Sequence, residues 1–210
     1  MAEIRAVLFD FGGVFTESPF TAIESLGAEL GAQPGELQEI VFGPYHQDTD
    51  HPWHRLERGE IPLTEARDAI IALGVERGIN SDPFQMFARM GRGTGAREAL
   101  VGRTRGLLAA GYRTALITNN AHEFRDGWRR LVPADELFQV IVDSSEEGVR
   151  KPDPEIFHRT LRRLGNLAAE QALLLDDAES NVVAAQELGI RAVLVEPDLQ
   201  GALAALDALL

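Results

Sequence analysis

The chain has 210 residues, 45% hydrophobic and 25% charged, a make-up that fits one globular domain, or one with an insertion, and excludes collagen, coiled coil and disorder. Twenty basic residues against 33 acidic ones give a formal net charge of −13, which repels phosphate backbones and anionic lipid, so neither nucleic acid nor a membrane is an expected partner. The sequence has no cysteine, which excludes disulfides, thiolate catalysis and Cys-ligated zinc.

The first apolar run, Ala6-Val7-Leu8-Phe9, stops at Asp10. It is too short for a signal peptide, and no later run approaches the roughly 18 apolar residues of a membrane span, so the expected location is the cytoplasm. It reads as a buried strand. Residues 17–92 show helical spacing over 20–30, 34–42, 63–73 and 83–90, and no convincing strand. Thr16 to Pro19 and the stretch Gly91-Arg92-Gly93-Thr94-Gly95 bound this insertion and suit hinges as well as they suit ordinary loops. A helix over 96–110 then stops at Gly111, and strands follow at 114–117 and 138–142. A helix over 154–164 stops at Gly165, a strand covers 172–175, a helix over 181–188 stops at Gly189, and a fifth strand covers 191–195. Glycine just past each helix suits a left-handed C-terminal cap. Leu203, Leu206 and Leu209 read as the core face of a last helix rather than a subunit interface.

The strands are nearly continuous in apolar residues instead of alternating, as for strands covered on both faces. Alternation with helices predicts a parallel sheet with right-handed crossovers. The expected fold is therefore α/β: a three-layer α/β/α, Rossmann-like parallel sheet built from residues 1–16 and 93–210, with an α-helical insertion over 17–92.

Ligands of such sheets sit beyond the carboxyl ends of the strands. There the sequence places Asp10, then Thr118-Asn119-Asn120, then Asp143-Ser144-Ser145, then Asp176-Asp177, with Arg150-Lys151-Pro152-Asp153-Pro154 between the last two. Each group alone also reads as turn or helix-capping chemistry. Together they assemble carboxylates, a hydroxyl, an amide and an ammonium at one edge. Carboxylates gathered at one edge repel unless a cation joins them, and hard oxygen ligands favour Mg²⁺. A carboxylate beside Mg²⁺ can attack phosphorus, while a hydroxyl, amides and a lysine hold the phosphoryl oxygens. Lys151 is the only lysine among 20 basic residues, a compact ammonium where the chain otherwise uses arginine.

These residues resemble, in order, the four motifs of the haloacid dehalogenase-like hydrolase superfamily. The first resembles Val7-Leu8-Phe9-Asp10-Phe11-Gly12-Gly13-Val14 and the second Leu116-Ile117-Thr118-Asn119-Asn120; the third resembles Arg150-Lys151-Pro152-Asp153-Pro154-Glu155-Ile156-Phe157 and the fourth Leu174-Leu175-Asp176-Asp177-Ala178-Glu179-Ser180-Asn181. The insertion lies where such proteins carry a small helical cap. The resemblance implies a Mg²⁺-dependent phosphatase acting on a small phosphorylated metabolite through an aspartyl phosphate on Asp10. Thr118 and the Asn119 amide would bind the phosphoryl group, and Lys151 would neutralise it and hold Asp10. Asp10, the Gly12 carbonyl and Asp177 would bind the metal directly, with Asp176 acting through a water.

The sequence departs from the phosphatase pattern at Gly12, where a second Asp usually protonates the leaving oxygen. Its loss implies slow turnover and a preference for good leaving groups, such as anomeric sugar, acyl or aryl phosphates. Glu17, His46, His51 and His54 are candidates for a relocated acid. Within the family, a 2-haloacid dehalogenase is the alternative enzyme, favoured by Gly12 and opposed by Asp176-Asp177. A low-activity relative that binds a phosphorylated ligand is the other alternative. A phosphonate-cleaving enzyme needs a cap lysine, which the insertion lacks. Tyr45 and Trp53 read equally as packing residues or as groups that close over the phosphate site.

Overall fold

The computed structural model describes residues 2–90 and 97–210, so the glycine-rich segment expected as a second hinge lies outside the described residues. In chain order the elements are β1 (Ala6–Phe9), α1 (Pro19–Leu30), α2 (Glu36–Phe42), α3 (Pro52–Glu57), α4 (Leu63–Arg77), α5 (Pro83–Met90), α6 (Glu98–Ala109) and β2 (Arg113–Thr118). They continue with α7 (Arg125–Trp128), α8 (Ala134–Leu137), β3 (Val140–Asp143), α9 (Ser144–Glu147), α10 (Pro154–Arg163), β4 (Ala172–Asp176), α11 (Glu179–Glu187), β5 (Arg191–Leu194) and α12 (Leu199–Leu209).

The five strands form one parallel sheet in the order β3-β2-β1-β4-β5. Register aligns Phe9 with Leu116 and Leu175, and Thr118 with Asp143, so the residues that follow the apolar runs share one edge. Alternate side chains of β1 face opposite layers. Val7 and Phe9 pack with Leu100 and Leu107 of α6 and Leu206 of α12, whereas Ala6 and Leu8 pack with Ile156 and Phe157 of α10 and Ala185 of α11. The result is the three-layer α/β/α arrangement expected for apolar runs buried on both faces.

The central strands β1 and β4 are buried throughout, but β5 lies at an edge and Leu194 is 41% exposed. Its apolar composition therefore overstated its burial. The third strand starts at Val140 rather than at 138, because the Phe138 amide donates to the Ala134 carbonyl at 2.9 Å and ends α8 instead of joining the sheet. Gly111, Gly165 and Gly189 follow α6, α10 and α11 with φ of 90°, 86° and 89°, the left-handed stop that the sequence pattern anticipated.

Helices α1 to α5 have a core of their own, centred on Ile23, Phe42, Leu56, Ile70 and Met86. The short α3 was not expected from periodicity. Its start is nonetheless written locally: the His51 ring nitrogen accepts from the Trp53 amide at 3.2 Å, and Pro52 occupies the first turn, where its missing N–H costs nothing. Polar contacts tie these helices to the sheet layer. The Leu63 amide donates to Glu123 at 2.7 Å, the Ser180 hydroxyl to the Tyr45 carbonyl at 3.1 Å, and Arg150 Nε to Glu57 Oε2 at 2.6 Å. Among the described residues no helix is long and apolar enough to cross a membrane.

The Arg150–Glu57 pair is buried on both sides, so its worth depends on both partners being present. Glu57→Leu leaves a buried guanidinium uncompensated and is expected to cost about 3–5 kcal/mol, a fall in Tm on the order of 10 °C by calorimetry. The double variant Glu57→Leu/Arg150→Met is expected to recover most of that loss. A Glu57→Leu cost below about 1 kcal/mol would show that water reaches the pair.

Candidate active site

The parallel register alone brings Asp10, Thr118 and Asp176 to adjacent positions, because β1 lies between β2 and β4. Lys151 enters from the loop before α10. It is buried, and its Nζ lies 2.8 Å from Asp10 Oδ1 and 2.6 Å from Asp176 Oδ2. The loop is fixed by a reciprocal amide pair. The Lys151 amide donates to Asn119 Oδ1 at 2.8 Å, and Asn119 Nδ2 donates to the Lys151 carbonyl at 2.9 Å. Asn119 thereby holds the ammonium in place through the backbone. Thr118, 2% exposed, ends β2 with its neighbours facing the same chamber.

Asp176 and Asp177 differ in their partners. Both oxygens of Asp176 are engaged: Oδ1 accepts from the Ala178 amide at 2.9 Å and Asn181 Nδ2 at 3.0 Å, and Oδ2 from Lys151. It serves as a turn cap and also meets the Lys151 ammonium. Asp177 accepts at Oδ2 from the Ser18 hydroxyl at 2.5 Å. Gly13 lies against it with φ 70°, and a Cβ there would fall 1.9 Å from Asp177 Oδ2, so only glycine fits. Gly12 has no such constraint. The nearest atom to a Cβ at Gly12 is Pro19 Cδ at 3.6 Å, an ordinary contact.

Oxygens of Asp10, Asp176 and Asp177 lie within 4.8 Å of one another. Three carboxylates against the Lys151 ammonium leave a formal charge of −2 in a nearly dry site. The strain appears in the acidities. Burial pushes Asp10 from 3.8 up to about 6, with Lys151 opposing and Asp176 adding to the rise. Burial, then Asp10 and Asp176, push Asp177 well above the usual carboxylate range. Burial alone would lower Lys151, but Asp10 and Asp176 hold it above its ordinary value. A hard divalent cation is the partner such an oxygen cluster fits, and these residues fit Mg²⁺.

Asp143 stands apart from this cluster. It caps α9, accepting from the Ser145 amide at 3.0 Å and hydroxyl at 2.8 Å, and burial raises its pKa. The histidines proposed as relocated acids are placed elsewhere too. His46 is exposed, while His51 uses its ring to cap α3 and to contact the Ile40 carbonyl at 3.2 Å. His54 is completely buried, contacts the Thr49 amide at 3.0 Å, and is held neutral by burial, which lowers its pKa to about 3. None of the three lines the chamber above Asp10, whereas Glu17 lies exposed at its rim. Tyr45 and Trp53 both line that chamber.

Three contributors were not assigned a role from sequence. Ser18 was visible only as a residue of a hinge, although its hydroxyl caps α1 and reaches Asp177. Asn181 stood inside the fourth motif without a task. Arg150 belongs to the third motif; it is completely buried, pairs with Glu57, and lies 4.8 Å from the Tyr45 ring centroid. A basic residue beside the sole lysine was the available signal.

A family model described as haloacid dehalogenase-like hydrolase matches residues 4–189. The chain is 32% identical over 196 residues to acyl-CoA dehydrogenase family member 10 of Mus musculus, covering 91% of this chain but only 18% of that protein. It is 29% identical over 195 residues to the sesquiterpene phosphatase astK of Aspergillus oryzae, covering 89% of this chain and 87% of that one. Among solved structures, a HAD family enzyme of Bacteroides thetaiotaomicron in complex with magnesium and inorganic phosphate superposes with a TM-score of 0.64 at 22% identity, covering 95% of this chain and 98% of the other.

The crowded carboxylates make a measurable prediction for the metal-free protein. An acid whose folded pKa exceeds its unfolded one binds its proton more tightly when folded, so stability is lost as pH rises from about 4 to about 6 through the Asp10 transition. MgCl₂ is therefore expected to raise Tm more at pH 7.5 than at pH 5. At a hundredfold excess over Kd the gain is about 2.7 kcal/mol, on the order of 5–10 °C. Equal Mg²⁺ effects at both pH values would contradict the charge argument.

Proposed function

Because this chain belongs to the haloacid dehalogenase-like hydrolases, we propose that it is a Mg²⁺-dependent phosphatase that hydrolyses a phosphate monoester through an aspartyl phosphate on Asp10. The observation that carries this reading is the joint reach of Lys151 to Asp10 and Asp176, beside Asp177 and at the end of β2 that bears Thr118. Phosphatases among its relatives, including the sesquiterpene phosphatase, support the reaction class.

In this reading Asp10, the Gly12 carbonyl and Asp177 would hold Mg²⁺ directly. Asp176, whose oxygens already serve Lys151, Ala178 and Asn181, acts through a water. When bound, the ion offsets the charge of the carboxylates and of the phosphoryl oxygens. Thr118 and the Asn119 amide hold the transferring phosphoryl group, and Lys151 neutralises it. The Asp10 carboxylate attacks phosphorus, the phosphorus–oxygen bond to the alcohol breaks, and the alcohol oxygen leaves with the bonding pair and then takes a proton from water. Water then cleaves the acyl phosphate, releasing inorganic phosphate and restoring Asp10. With Gly12 in the place of an acid, the leaving oxygen departs without a proton donor from that position. In this role helices α1 to α5 are a cap, and docking through Arg150 and Glu57 places Tyr45 over the site.

The dehalogenase alternative shares the Gly12 trait, but it has no use for three carboxylates within 4.8 Å. A ligand-binding relative is separated by turnover. Phosphate release from phenyl phosphate and acetyl phosphate is expected to require Mg²⁺ and to fall about 10⁴-fold or more in Asp10→Asn. Halide release from a 2-haloacid without metal, or binding without turnover, would overturn the reading.

Gly12 supplies a separate prediction. The space beside Pro19 admits a side chain, so Gly12→Asp is expected to fold and to raise turnover of alkyl phosphates by about 10²-fold, with little gain for aryl phosphates. Equal pre-steady-state rates for aryl and alkyl phosphates in the unaltered protein would show that an acid is present after all.

A further inference from the structure

The chamber above Asp10 has a volume of about 380 Å³, within the range of small-molecule sites. One end is polar, with Asp10, Thr118, Asn119 and Asp177; the remaining wall is dominated by Phe20, Phe42, Trp53, Met86, Phe87 and Trp128. The rings form a connected chain. Centroid separations are 5.6 Å for Phe20–Phe42, 5.0 Å for Phe42–Trp53, 6.1 Å for Trp53–Phe87 and 4.8 Å for Phe87–Phe124. A packed core leaves few voids larger than a water molecule, so an aromatic wall around this volume is a surface kept for something else.

Several polar groups in that wall are already engaged, and Trp128 Nε1, which has no partner, is itself buried. Trp53 Nε1 donates to Glu57 Oε1 at 2.8 Å, and Glu57 Oε2 accepts from Arg150. Asn119 is tied to the Lys151 backbone, and Asn120 Oδ1 accepts from the Ala121 amide at 2.8 Å. Hydroxyls of a sugar or a hydroxy acid would lose water there and find these partners taken, whereas apolar surface would be buried at a gain.

We infer that the chamber is the subsite for the organic part of the substrate, and that the ligand class is a phosphate monoester of an aryl or comparably good-leaving alcohol with an extended apolar body, rather than of a sugar or hydroxy acid. This rests on the phosphatase reading only in placing the phosphoryl group at Asp10. It narrows the good leaving groups expected from Gly12 to those with apolar bodies.

Both tryptophans of the chain line the chamber, so binding is readable by intrinsic fluorescence without turnover. With Mg²⁺ present, hexylphosphonate is expected to bind about 10- to 100-fold more tightly than ethylphosphonate, because each buried methylene contributes about fourfold at most. 2-Hydroxyethylphosphonate is expected to bind no better than ethylphosphonate. Met90→Gln at the half-buried chamber wall is expected to reduce the hexyl-to-ethyl ratio several-fold. In turnover, 4-butylphenyl phosphate should exceed phenyl phosphate in kcat/KM by about tenfold or more, since the alkyl group hardly changes the leaving oxygen. Equal affinity for the two alkyl phosphonates, or tighter binding of the hydroxylated one, overturns the inference. Length-dependent binding without phosphate release from any ester upholds the ligand class and overturns the catalytic reading instead.

Discussion

The uncompensated charge at the carboxyl edge of the sheet governs the rest of the structure. Asp10, Asp176 and Asp177 crowd within 4.8 Å and have one ammonium between them. No sequence selected for stability alone would gather three carboxylates in so dry a place, since each loses hydration that Lys151 only partly replaces. Several local features read as consequences. The Asn119 amide clamps the lysine loop, Asn181 and the Ala178 amide hold Asp176, and glycine at position 13 gives Asp177 its room. Protein donors saturate Asp176 and leave Asp177 less engaged, so the adjacent acids are unequal before any ion arrives.

Strand order decides which acids take part. β1 lies between β2 and β4, so Asp10 is flanked by Thr118 and Asp176. Asp143 ends β3 with similar turn chemistry, but β3 is two strands from β1, on the order of 10 Å away. It remains a helix cap. Asp153 likewise caps α10, accepting from the Glu155 amide at 2.8 Å, and lies in the same loop as Lys151. Residue type and position along a strand do not separate a cap from a site member; lateral placement in the sheet does.

This explains what could be read from the sequence. The apolar runs, their helical interludes and the acids after each run are local signals, and the sheet converts them directly into a common edge. The helical insertion was legible for the same reason, apart from α3, whose six residues are too few for periodicity to register. What depends on two segments meeting was not legible. Arg150 finds Glu57 across 93 residues and Ser18 finds Asp177 across 159, contacts that exist only once the helical layer docks on the sheet. The histidines mislead in the opposite sense. Their chemistry suggested acid catalysis, yet His51 and His54 are spent on capping and on Thr49, and burial keeps His54 neutral.

The missing acid and the apolar chamber constrain one another. An oxygen leaving phosphorus without a proton carries developing negative charge into its surroundings, and aromatic and methionine side chains solvate it poorly. A bare alkoxide would therefore be penalised twice, by its own basicity and by the wall it departs into. A leaving group that spreads its charge over a ring or a carbonyl avoids both penalties, and an apolar body on it gains from the same wall. Restoring an acid at Gly12 would remove the first penalty and leave the second. The chamber, more than the carboxylates, thus sets which esters the site can favour.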